Sequence, residues 1–256
     1  MSGRDDFYVG YLPDAPRGLG RWLRRTLLGL LLLVIVVAAV LVTRQSRFGP
    51  GVFEFGVERD FTGVVLEIPN PTLLLLDRNT SDRLPQLLLL SALGKRGADE
   101  LVQGLHGQPA VLRGTLVHRD GRAMIEVHGA EPLAASEAAA LSLDPELGVD
   151  RGAVTLRGEV VDSKCYLGVM KPGHTKPHRA CAVRCISGGV PPMLLVVEPD
   201  GSARHLLLAS ADGKMVNAQV LPWVAEHIEI NGRVRAYGDL EVLLADPTTY
   251  RRVATE

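Results

Sequence analysis

"LLLLSALGKRGADELVQGLHGQPAVLRGTLV", residues 87–117, and "LLLASADGKMVNAQVLPWVAEHIEINGRVR", residues 206–235, are two versions of one passage. Each runs from an apolar strand through Ser-Ala-x-Gly-Lys into a helix-length stretch, then into a strand with a glycine near its middle. An internal repeat fixes architecture before any local pattern does. The match extends outward in both directions. "FTGVVLE" from Phe61 pairs with "LRGEVVD" from Leu156, and "RAMIEVHGAEPL" from Arg122 pairs with "DLEVLLADPTTY" from Asp239.

The order within each copy is strand, strand, strand, helix, strand, strand. In the first copy the pattern predicts strands near 60–68, 72–77, 86–91, 109–118 and 122–129, a helix near 97–105, and a hairpin turn at "RDG", residues 119–121. In the second it predicts strands near 154–162, 193–198, 203–210, 227–236 and 239–246, with a helix near 214–225. Five strands with a helix between the third and fourth is the connectivity of the OB-fold, a small, partly open Greek-key barrel. The chain resembles two OB-fold-like barrels in tandem, mostly β with short helices. The first covers 51–133, the second 151–252, and the Ala/Glu-rich stretch 134–150 links them.

Upstream, "TLLGLLLLVIVVAAVLVT", residues 26–43, is uncharged and apolar, with Trp22 and Leu23 extending it. At about 1.5 Å per residue it nearly spans a hydrocarbon core of about 30 Å. The run ends in "VLVTRQSRFG", which offers no small-residue cleavage site, so it reads as an uncleaved single-pass anchor. Arg17, Arg21, Arg24 and Arg25 crowd its N-terminal flank against Arg44, Arg47 and Arg59 beyond it. The positive-inside rule then leaves residues 1–25 in the cytoplasm. In a bacterium the anchor lies in the inner membrane and the barrels lie in the periplasm or outside the cell.

The two copies differ in one place. From Gly63 to Leu73 the first takes about ten residues between strands one and two, whereas from Gly158 to Met193 the second takes about thirty-five. The insertion, residues 163–192, holds all three cysteines of the chain and two of its seven histidines. It occupies a loop with which OB barrels contact ligands. Within it "KPHRACAVRCISGG" predicts a short helix that starts near Pro177 and stops at Gly188 and Gly189. At about 100° per residue, His178, Cys181 and Cys185 fall at about 0°, 300° and 340°, on one face. Cys165, at the end of the first strand, closes over that face, with His174 as a spare ligand.

Three thiolates and an imidazole form a tetrahedral set for Zn(II), and soft thiolates also select Cu(I). The H-x2-C-x3-C spacing differs from the C-x2-C knuckles of zinc ribbons. Two other readings stay open. In an oxidising compartment Cys165 pairs with Cys181 or Cys185 in a disulfide that staples the loop and leaves an odd thiol. Alternatively the thiols do redox chemistry of their own, although no C-x-x-C stands in a thioredoxin-like context.

The combination "CY…HRACAVRC…GGVPP" resembles a motif of poorly characterised bacterial membrane-anchored envelope proteins, CY...HRxCAxxC...GGxP, some encoded beside respiratory or iron–sulfur proteins. The resemblance covers the insertion and its flanks, and implies a cofactor-linked role with an envelope redox-complex partner.

Other chemistries find no carrier. There is no C-x-x-C-H for haem, no G-x-S-x-G elbow and no phosphate-binding glycine loop, so no catalytic activity of its own is expected. Twenty-eight basic residues against twenty-nine acidic ones give a net charge of −1. That balance, with few aromatics on the strands, argues against a nucleic-acid partner. His106, His118, His128, His205 and His227 read as surface or packing residues.

Overall fold

The computed structural model describes residues 16–45, 51–75, 87–133 and 148–253. They belong to two units, Met1–Gly49 and Pro50–Glu256. The first contains a helix, Arg17–Gln45. Its most apolar 18 residues have a mean hydropathy of 3.0, so the helix is long and apolar enough to cross a membrane.

The second unit holds two closed barrels. In the first, β1 (Val52–Glu67), β2 (Pro71–Leu75), β3 (Leu87–Ala92), β5 (Pro109–Arg119) and β6 (Arg122–Pro132) form the wall, and the two-residue β4 (Arg96–Gly97) hangs on β3. The strands run in the order β2-β1-β5-β6-β3, and β2 also pairs with β3, which closes the circle. All wall pairings are antiparallel except β3 with β6, where Leu89 stands opposite Met124. In the second barrel β7 (Val149–Asp162), β8 (Pro192–Val197), β9 (Ala203–Ala209), β10 (His227–Tyr237) and β11 (Leu240–Leu244) repeat this pattern. Again the third and fifth strands are the parallel pair, with Leu207 opposite Val242, and β12 (Arg251–Arg252) adds to β10. This is the OB-like connectivity, twice.

The repeated glycines sit where neighbouring strands approach tightly. A Cβ on Gly63 would lie 2.4 Å from the Leu74 carbonyl oxygen, and one on Gly158 2.4 Å from that of Leu195. Only glycine lets the backbones approach this closely.

Successive strand residues face opposite sides, and both sides are buried here. Leu88 and Leu90 fill the first barrel, while Leu87 and Leu89 join a core shared with the second. Likewise Leu206 and Leu208 fill the second barrel, and Leu207 and Ala209 face the shared core. The two barrels therefore pack as one body on a common apolar layer.

Three expectations need correction. Residues 98–108 form a succession of turns rather than the helix expected near 97–105. Gly104 and Gly107 adopt left-handed φ of 79° and 72°, which interrupts any helical run. The helix expected near 214–225 shrinks to Asn217–Val220 followed by a 3-10 turn, Leu221–Trp223, because Pro222 cannot continue an α-helix. Cys165 does not end the first strand: β7 stops at Asp162, and Cys165 opens a π-type turn, Cys165–Val169. Residues 76–77 and 86 of the expected strands, and 134–147 of the linker, lie outside the described residues.

Candidate metal centre

The insertion folds back between the barrels. After the π-type turn a 3-10 turn, Lys176–His178, leads into the insertion helix, Arg179–Ser187. Pro177 suits the first turn because its missing N–H would have had no partner there. At the other end Gly189 takes a φ of 100°. The Val190 amide then reaches back to the Cys185 carbonyl, which ends the helix. Ala182 and Ile186 anchor one side in the second barrel's core, and Cys185 turns toward Cys165 and Val190.

This places the three sulfurs together. Cys165 Sγ lies 3.8 Å from Cys181 Sγ and 3.8 Å from Cys185 Sγ. Cys165, His178 and Cys181 form one group whose ligand atoms all lie within 4.8 Å of one another, and Asp162, Cys165 and Cys185 form a second. Cys165 is thus the hub of two overlapping triplets. His174 is in neither: its Nδ1 lies 3.9 Å from Glu159, and its ring packs against Tyr166. A tetrahedron with metal–sulfur bonds of about 2.3 Å has sulfur–sulfur edges of about 3.8 Å. The Cys/His groups can therefore hold a metal ion without rearranging Cys165 against its two neighbours.

Asp162, which the motif reading passed over, ties the group together. Its Oδ1 accepts from the Cys165 amide at 2.8 Å, and its Oδ2 accepts from His178 Nε2 at 2.9 Å. Both side chains are buried, so the carboxylate fixes the orientation of the ring. Its one sequence signal is its place three residues before Cys165.

Lys95 was also missed. It comes from the turn between β3 and β4 of the first barrel, and its Nζ donates to Cys181 Sγ at 2.8 Å. The contact holds the Lys95 ammonium above its ordinary pKa. Lys164 runs the other way, from the second barrel into the first. It is almost wholly buried, donates to the carbonyls of Ala92 and Gly94, and is paired with Glu126. The same turn thus receives one lysine and supplies the other.

The thiols are electrostatically unequal. Cys165 is pushed up, first by its hydrogen bond with Cys185 and then by burial. Cys185 is drawn down, chiefly by the same hydrogen bond. Cys181 is half-buried, whereas Cys165 and Cys185 are buried.

No family model and no curated protein matches the chain. Among solved structures, a deletion mutant of the single-stranded DNA binding protein from Thermus aquaticus is similar at 14% identity with a TM-score of 0.22, over 80% of this chain and 96% of that one. The fold described above rests on strand order and closure.

Proposed function

We propose that this chain is a membrane-anchored, periplasmic metal-binding accessory or assembly subunit of an envelope redox or respiratory complex. Cys165, Cys181, Cys185 and His178 would hold Cu(I) or Zn(II), both of which accept thiolate and imidazole donors. The observation that carries this reading is the pair of 3.8 Å sulfur separations about Cys165, beside an imidazole already oriented by Asp162. His178 Nε2 is taken by the carboxylate, which leaves the other nitrogen as the metal donor. The helix Arg17–Gln45 would anchor the chain, with its arginine-rich flank in the cytoplasm. The barrels would dock the partner protein, and no nucleic acid is involved.

The test is elemental mass spectrometry on the full chain, purified in detergent without chelator, with free thiols counted on the same sample. Near-stoichiometric copper or zinc that disappears in Cys181→Ser is the expected result. Absence of metal, together with one free thiol and one disulfide, overturns it and favours a docking scaffold whose loop is stapled. That second reading draws on the same distances, since Cys165 is within reach of either partner.

A further inference from the structure

We propose that Cys181 is the thiol through which an external disulfide oxidises this cluster, and that Cys165 resolves the mixed disulfide so formed. Three features of the geometry assign the roles. First, a thiolate must be reached to react, and Cys181 is half-buried while Cys165 and Cys185 are 3% and 1% exposed. Second, the Lys95 ammonium lies 2.8 Å from Cys181 Sγ, so a cation stands beside the sulfur that an incoming disulfide meets first. Third, Cys165 Sγ lies 3.8 Å behind it, so a sulfur is in place for the second step. Cys181 and Cys185, one turn apart on the same helix, are worse placed to bridge each other.

The steps balance without any further reagent. The Cys181 thiolate attacks one sulfur of a disulfide R–S–S–R, forming Cys181–S–S–R and expelling R–S⁻ with the bonding pair. Cys165 then attacks Cys181 Sγ as its thiol gives up its proton, forming the Cys165–Cys181 disulfide and expelling the second R–S⁻. The two protons released by the cysteines leave on the two R–SH. Two protein thiols are oxidised, one external disulfide is reduced, and Cys185 remains a buried thiol.

The consequence for metal rests on the reading proposed above. One exchange removes two of the four donors together, so metal loading and oxidation exclude each other. The chain would hold its metal when reduced and surrender it to an incoming disulfide.

Oxidised glutathione is the probe, applied to the full chain in detergent after removal of metal, with products mapped by mass spectrometry of tryptic peptides. Arg184 lies between Cys181 and Cys185, so trypsin separates the two thiols. The expected products are a Cys165–Cys181 crosslink in the native chain and a glutathione adduct on Cys181 in Cys165→Ser. Cys181→Ser, a change at a half-buried position, is expected to leave the other thiols unmodified. A first product linking Cys165 to Cys185, an adduct on Cys185, or unreacted native thiols would overturn the assignment. The metal is followed separately on a loaded sample. Its release in step with the crosslink supports the coupling, and its retention after the crosslink has formed overturns it. A chain that binds no metal sinks the metal reading while the exchange products still decide this one.

Discussion

Asp162 has no solvent exposure, and a carboxylate in that position is costly unless its oxygens are hydrogen-bonded, as they are here to the Cys165 amide and to His178. Asp162→Asn keeps the shape and removes the charge that orients the ring. Affinity for the bound metal is expected to fall about 10–100-fold, read by chelator competition. An unchanged affinity would take Asp162 out of the site. Lys164 makes a comparable argument for stability. Its three contacts lie across the boundary between barrels, and Lys164→Met would leave the buried Glu126 carboxylate with His128, 3.5 Å away, in place of the lysine. Removing one member of such a pair costs about 3–5 kcal/mol, because the other charge stays buried. Calorimetry should show that loss, and adding Glu126→Gln should recover part of it.

The element that decides the site is the close contact between the insertion helix and the β3–β4 turn. The Gly97 amide donates to the Gly188 carbonyl at 2.8 Å, and a Cβ on Gly188 would stand 2.0 Å from the Lys95 carbonyl oxygen. Gly188→Ala therefore forces helix and turn apart at a backbone contact that no side chain can relieve. Overpacking of this kind costs about 1–3 kcal/mol, and a lowered thermal midpoint is the expected outcome. A midpoint within error of native would mean that the contact is looser than these distances. The same elements show what the sequence made legible. The five-strand order was readable because two copies of one pattern punctuate each other, whereas helical spacing applies to Cys181 and Cys185 but not to His178, which stands in the 3-10 turn before the helix. The stretch 98–108 was not readable, since its apolar residues Ala98, Val102 and Leu105 carry a helical period while Gly104 and Gly107 break it. Lys95 and Lys164 were invisible for a different reason. Each acts on the opposite barrel, and no local pattern records which turn of one barrel meets which loop of the other.

At the scale of the whole molecule, the runs "LLLL" and "LLLA" are buried on both faces because the barrels share a core, and that shared layer contains a titrating group. His205 is 6% exposed, 3.3 Å from the Tyr166 hydroxyl, and has Arg122, Arg119 and Asp120 as its charged neighbours. Burial, helped by Arg122, lowers its pKa from 6.5 to about 4, while burial pushes Tyr166 up to about 12. The native state therefore holds His205 neutral. Above pH 6.5 both states are neutral and nothing changes. As the pH falls below 6.5 the unfolded chain takes up the proton first, so stability is lost progressively down to about 4, where the native imidazole also protonates. The difference corresponds to about 3 kcal/mol in all. Thermal midpoints of the native chain should fall between pH 6.5 and 4 by more than those of His205→Gln, which has nothing to titrate there. Because Arg119 of the first barrel also donates to the Tyr166 carbonyl in the insertion, the loss should appear as one transition of both barrels. Two separate transitions would show instead that the shared core does not couple them.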